Sequence, residues 1–249
     1  MIAIVLSIAI VAIAQIVKGI TGFGSALVSV PVLTLLWGPV EGIFLAGFCD
    51  VVGGAVLLPG AWKQLDFRLI AAMYLPLVVV QNFATDLLTT IPAESFHIAM
   101  GVVVLVMGLD MALRPEVGCG DLTALPEPPY KFLGIAAVAG AAAGGFSGLF
   151  GTPGPPSALF FRRFFEKTFM RAHILALFWP AALGLMLMLT FKGGITDLGH
   201  AYTNGAMLVP SIFVGAVFGA RLAPKLSRAA FSRMVGLVLT GAGLALLLS

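Results

Sequence analysis

Two long apolar runs in this chain are each interrupted midway by small and polar residues, and the interruptions resemble one another. The first run covers residues 1–37 and breaks around Lys18-Gly19-Ile20-Thr21-Gly22-Phe23-Gly24. The second covers residues 131–165 and breaks around Gly144 to Pro156. With 60% of the 249 residues hydrophobic and 10% charged, the chain carries more apolar surface than a soluble globule of this size can hide. The solvent is therefore a bilayer, and there non-helical backbone is tolerated only where protein or a watery cavity satisfies its hydrogen bonds. The composition excludes a soluble enzyme, a disordered chain and a fibrous repeat.

Six unbroken runs complete the chain: residues 39–61, 68–90 and 95–113 after the first break, then 172–191, 202–223 and 229–248 after the second. Residues 114–130 between the two sets are polar and rich in Pro, Gly and acids, including Pro126, Pro128 and Pro129. The chain is thus written twice, as a first repeat over 1–113, a linker over 114–130 and a second repeat over 131–249. Local features recur as well. Gly19-Ile20-Thr21-Gly22 matches Gly145-Phe146-Ser147-Gly148, Pro76 matches Pro210, and the seven-residue spacing of Gly101 and Gly108 returns in Gly236 and Gly243. Weak internal symmetry of this kind is common in transporters. Ala12-Ile13-Ala14 resembles a signal-peptide cleavage site, but no basic residue precedes Lys18 and the apolar run continues, so cleavage is not expected.

Charge placement selects a topology. If each broken run were one crossing, the basic residues would divide poorly between the two sides. If each run enters and returns to the same side, as a re-entrant hairpin or as two tilted crossings, the halves are inverted. Lys63, Arg68, Arg114, Lys131, Arg162, Arg163, Lys167, Arg171, Arg221, Lys225, Arg228 and Arg233 then share one side, and Lys192 alone takes the other. That is a strong positive-inside pattern. The expected fold is all-α and polytopic: two inverted-topology repeats, each a Gly/Pro-broken helix pair plus three transmembrane helices. Both termini are expected on the periplasmic side, with Glu41, Glu94, Asp197 and His200, and Asp86 close by.

In that arrangement the two breaks meet near the midplane. Each is followed by a short helix, about 25–37 and about 156–165, whose N-terminal N–H groups and partial positive charge suit an anion. Lys18 adds a full charge. Thr21, Ser25, Ser147 and Thr152 offer hydroxyl donors. Gly19, Gly22, Gly24, Gly148, Gly151 and Gly154 allow close backbone approach, and Pro153 with Pro155 and Pro156 fixes the second turn. The constellation fits a small oxyanion rather than a cation. Asp50, in the middle of the second span, is a candidate to pair with Lys18, to take up a proton coupled to transport, or to cap a local break. Gln81 and Asn82 can bond across helices or face the pathway. Arg221 is read as an interface anchor or a gate.

At these motifs the sequence resembles the TauE/SafE sulfite-exporter family. The resemblance lies in Gly19-Ile-Thr-Gly-Phe-Gly-Ser-Ala-Leu-Val-Ser-Val-Pro31, in Gly144-Gly-Phe-Ser-Gly-Leu-Phe-Gly-Thr-Pro-Gly154 and in Gly215-Ala-Val-Phe-Gly219-Ala-Arg-Leu-Ala-Pro-Lys-Leu226. It implies a bacterial inner-membrane transporter of sulfur oxyanions or organosulfonates such as sulfite, often an exporter.

Two other functions compete. An anion channel could use the same dipoles and Lys18. An intramembrane serine protease could use Ser147 in Gly145-Phe146-Ser147-Gly148, but His97, His173 and His200 all sit near predicted membrane edges. No metal-ligand cluster, P-loop or dinucleotide fingerprint is present, so no metal, cofactor or catalytic residue is expected. Cys49 and Cys119 lie in unlike surroundings and imply no disulfide. The small net charge of +3 does not suggest nucleic acid. The expected partners are a small anion and membrane lipid, with room for a homo-oligomer.

Overall fold

The computed structural model describes residues 2–22, 24–113, 120–127, 129–192, 194–222 and 228–248, without the side chains at positions 21, 63, 111, 167, 228–235 and 238. Phe23, Arg114, Cys119, Pro128 and Lys225 lie outside the described residues, as do the side chains of Thr21, Lys63, Lys167, Arg228 and Arg233. Among the described residues, ten α-helices make up nearly all the structure: α1 (Ile2–Thr21), α2 (Ser25–Trp37), α3 (Pro39–Leu57), α4 (Phe67–Thr90), α5 (Ala93–Leu113), α6 (Tyr130–Phe150), α7 (Gly154–Phe164), α8 (Lys167–Phe191), α9 (Leu198–Leu222) and α10 (Arg228–Leu247). Among the described residues, seven helical segments are long and apolar enough to cross a membrane. The outward surface is apolar, with Leu75, Val79, Phe83, Val106, Val138, Val214 and Phe218 exposed. Lys18, Asp50, Gln15, Gln81, Ser147 and Asn204 are buried instead. Polar groups inside and hydrocarbon outside is the distribution a lipid solvent requires.

Glycine in the left-handed region makes both breaks. Gly22 (φ 86°) ends α1 with its N–H on the Lys18 carbonyl at 2.7 Å. Gly151 (φ 69°) ends α6 with its N–H on the Ser147 carbonyl at 2.9 Å. A side chain at either position would be forced into a strained conformation. The expected breaks were broader. Lys18 and Gly19 are still helical, and so are Gly144, Gly145, Ser147 and Gly148. The register of the two motifs also differs from the sequence match, because Gly22 corresponds to Gly151 and Lys18 therefore to Ser147.

The helices pack in pairs through small residues. In α1 and α9, Gly215 lies against Ala12, Gly219 against Ile16, and Gly19 against Ala216 and Ala220, so the two helices run parallel. In α4 and α6, Gly140 lies on Met73, Gly144 on Leu77 and Gly148 on Gln81, again parallel. In α5 and α10, Gly101 faces Gly243 and Gly108 faces Gly236, which makes that pair antiparallel. The pair α3 and α8 is antiparallel too: Gly47 approaches Ala182, and Trp179 donates its indole N–H to the Val51 carbonyl at 3.0 Å. A Cβ at Gly140 would sit 2.1 Å from the Met73 oxygen. Such contact distances let backbones approach closely and supply packing energy in a solvent that gives helices no hydrophobic drive to associate.

The connections sort to two ends. The linker docks beside the α7–α8 turn, with Leu122 N–H on the Phe164 carbonyl at 3.1 Å and Glu166 N–H on the Leu122 carbonyl at 3.0 Å. Arg68, at the start of α4, lies 3.7 Å from Glu127 of the linker. Asp66 donates its N–H to His173 Nε2, near the start of α8, at 2.8 Å. A phenylalanine stack braces this end, with ring centroids 4.4 Å apart for Phe165 and Phe169 and 3.8 Å for Phe169 and His173. At the far end of α8, Lys192 pairs with Asp86 near the end of α4 at 2.5 Å. One end of the bundle therefore gathers Arg68, Arg162, Arg171 and Arg221, and the other carries Lys192.

Candidate functional site

Lys18 lies on the last turn of α1, one turn before the break, and is 2% exposed. Its ammonium bonds Asp50 of α3 twice, at 3.0 Å to Oδ1 and 3.0 Å to the backbone carbonyl. Ser25, the first residue of α2, donates its hydroxyl to the same carboxylate oxygen. The Asp50 carboxylate thus sits at the N-terminus of α2, between a hydroxyl and an ammonium. Of the readings open for Asp50, pairing with Lys18 is the one observed. Neither charge could be buried alone, because an unpaired ion in this surrounding costs several kcal/mol. Gln15, one turn earlier on α1, donates to the Cys49 carbonyl at 3.2 Å, and Cys49 is a buried free thiol.

The second break is built without charge. Ser147 is fully buried and accepts a hydrogen bond at 3.0 Å from Gln81 Nε2, which also donates to the Ala181 carbonyl at 2.9 Å. Thr152 Oγ1 accepts the Gly154 N–H at 3.2 Å and caps α7. Pro155 and Pro156 have no N–H to offer. The α7 N-terminus is therefore largely spent on itself, and it is a poorer anion cradle than its sequence implied. Ser157 Oγ, buried in the first turn of α7, has no hydrogen-bond partner among the described residues. Asn82 contributes its backbone carbonyl, which accepts from Lys192 at 2.7 Å. Arg221 is exposed on the last turn of α9.

The two breaks are offset along the bundle. Gly151 packs against Ile43 of α3 and Val30 of α2, and Gly154 lies beside Leu27. Ile43 is seven residues from Asp50 along α3, about 10 Å at 1.5 Å per residue. Lys18, Gly19, Gly22, Gly24, Ser25 and Asp50 form one group. Ser147, Gly148, Gly151, Thr152, Pro153, Gly154 and Gln81 form a second, offset toward the end that carries Lys192. Gly154, the first residue of α7, nevertheless lies beside Leu27 in the first turn of α2.

Arg171, which in the sequence is one basic residue among many, joins the first group. It lies in the first turns of α8 and donates from Nη2 to the Gly19 carbonyl at 2.8 Å, at the C-terminal end of α1. Its side chain lies over Gly22, where a Cβ would come within 2.4 Å of Arg171 Cγ. A cation at a helix C-terminus complements both the unpaired carbonyls and the dipole. Beside it a cavity of about 240 Å³ is lined by Gly22, Leu57, Gly60, Ala61, Gln64, Thr168, Arg171, Ala172 and Leu175.

A buried cation and carboxylate thus pair beside a glycine break in an all-helical apolar bundle. The sulfite exporter TauE/SafE family profile matches residues 7–246. The chain belongs to the sulfite exporter TauE/SafE family. It is also similar to a probable sulfite/organosulfonate exporter TauE of Cupriavidus necator, with 27% identity over 235 residues, covering 92% of this chain and 88% of that protein. No solved structure matches the chain. Membership makes this a multi-pass membrane transporter, and Ser147, the residue of the protease reading, receives its hydrogen bond from an amide.

Proposed function

We propose that this protein exports a small sulfur oxyanion, sulfite or an organosulfonate, across the bacterial plasma membrane by alternating access. The anion binds at the first break, between Lys18 and the N-terminus of α2 with Ser25. The observation that carries the reading is that a carboxylate, Asp50, already occupies this cradle. Asp50 is an internal competitor. The substrate gains Lys18 and Ser25 when Asp50 swings away, and Asp50 returns when the substrate leaves. Thr152, Ser157 and Gln81 line the onward path past the second break. The Lys192–Asp86 pair closes the outer end.

Two inverted repeats, 1–113 and 131–249, joined by 114–130, supply the moving parts. The antiparallel pairing of α5 with α10 and of α3 with α8 supports this, since equivalent helices related by an axis in the membrane plane must run oppositely. The exchange of partners in the α1–α9 and α6–α4 pairs supports it too. The gathered basic end faces the cytoplasm by the positive-inside rule, which places both termini in the periplasm. An inside-negative potential then drives anion efflux at about 2.3 kcal/mol per charge per 100 mV.

The test is sulfite flux in proteoliposomes. Wild-type protein should show saturable, potential-driven sulfite movement with counterflow. Lys18→Met should abolish it, and Asp50→Asn should retain flux. Flux that is linear in concentration, or unaffected by Lys18→Met, would overturn the reading.

A further inference from the structure

Beneath the first break, the cavity beside Arg171 runs from exposed Gly60 and Gln64 down to buried Gly22, Ala172 and Leu175. At about 240 Å³ it holds roughly eight waters at about 30 Å³ each, ample for a small oxyanion with part of its hydration shell. Among the described residues of its lining, Arg171 is the one charged group, and no carboxylate is present. Gln64 and Thr168 add an amide and a hydroxyl at the mouth. The floor is Gly22, whose N–H bonds the Lys18 carbonyl, so the cavity ends one helical turn from the Lys18–Asp50 pair. Arg171 spends one Nη2 bond on Gly19, and a guanidinium has five N–H donors.

We propose that this cavity is a second anion site, a vestibule at which Arg171, with Thr168 and Gln64, takes a sulfonate or comparable oxyanion from the basic face before it passes Gly22 to Lys18. The site selects by charge. An anion shares the guanidinium with the α1 carbonyl end, whereas a cation meets Arg171 with no acidic partner in the lining. Removing the Arg171–Gly19 contact during transport would loosen α8 from the break, so occupancy of the vestibule is coupled to opening of the path. The inference rests on the transporter reading for its substrate class, but the cavity's charge selectivity can be tested separately.

The experiment uses the full chain with Cys49 and Cys119 replaced and Ala61→Cys placed in the cavity wall. The rates of modification by an anionic ethylsulfonate methanethiosulfonate and by its cationic trimethylammonium analogue are compared, each scaled to a free thiol. The expected result is a preference for the anionic reagent on the order of tenfold, the scale of one nearby charge in a half-solvated site. Methanesulfonate should slow the reaction and methylammonium should not. Arg171→Gln should collapse the preference and Arg171→Lys should keep most of it, which separates loss of charge from loss of the fold. Equal scaled rates, or a preference unchanged in a folded Arg171→Gln protein, would overturn the vestibule even if sulfite flux is normal. Preference and protection without any sulfite flux would leave the vestibule standing and remove the proposed export function.

Discussion

Mutating Lys18 and Asp50 singly and together gives a sharp test of how the first break is held. Lys18 is 2% exposed and Asp50 is 6% exposed, and their 3.0 Å contact joins α1 to α3. In Lys18→Met the carboxylate keeps only the Ser25 hydroxyl among its side-chain partners in the described residues. In Asp50→Asn the ammonium keeps the backbone carbonyl and a neutral amide oxygen. Breaking a buried pair from one side costs about 3–5 kcal/mol, because the remaining charge is stranded. At roughly 2–4 °C per kcal/mol for a chain of this length, each single variant should lower the unfolding midpoint by roughly 6–20 °C. The double variant strands no charge. Its cost should be that of altered hydrogen bonds, about 1–2 kcal/mol, so it should be more stable than either single. Cys49 supplies the assay: its buried thiol reacts with a fluorogenic maleimide on unfolding, in a Cys119→Ser background in detergent. Additive losses in the double variant, or single losses below about 1 kcal/mol, would show that the pair is not an isolated buried ion pair and would refute the argument.

Three further outcomes are expected. Gly22→Ala places a β-carbon at φ 86° and 2.4 Å from Arg171 Cγ, so it should cost more than the roughly 1–2 kcal/mol of a left-handed alanine, read as a lowered thermal midpoint. Gly140→Leu should separate α6 from α4 and give aggregated protein on gel filtration, whereas Gly134→Ala, with open space around it, should stay monodisperse. Ser147→Ala should cost about 1 kcal/mol, since Gln81 keeps its bond to Ala181, and should leave sulfite flux intact, and the unmutated protein should not take a fluorophosphonate label.

Much of the fold could be read from the chain because a lipid solvent leaves so few options. The apolar runs end within a few residues of the observed helices, and the buried charges Lys18 and Asp50 found each other across 32 residues. The width of the breaks was not legible. A glycine that bends the backbone and a glycine that admits a neighbouring helix both appear as a missing side chain. Gly144 and Gly148 belong to the second kind, lying on Leu77 and Gln81, and only Gly151 turns the chain. The Pro153 that follows Gly151 by two residues was the usable signal, because a proline there cannot continue α6. Arg171 was hidden for a different reason. The positive-inside rule already accounts for a basic residue at that end, so nothing in the sequence distinguishes an arginine that reaches into a break from one that anchors at the interface.

The correspondence of Lys18 with Ser147 bears on why the two halves divide their work. Each residue offers its carbonyl to the left-handed glycine of its own break. Lys18 then meets a carboxylate from α3, whereas Ser147 meets an amide from α4. Duplicating the charged pair in both breaks would put two desolvated ion pairs about 10 Å apart along the path, each costing several kcal/mol to open. Under the proposed function, confining the charge to one break would give an anion a single strong exchange to make, displacing Asp50 from Lys18, and the hydroxyls and amide of the second break would pass it on without holding it. On this reading, adding a positive charge at Ser147 should tighten binding and slow release, so Ser147→Lys is expected to lower both the apparent Km for sulfite and the maximal flux. A faster flux in a folded Ser147→Lys protein would mean that the second break, rather than the first, limits transport.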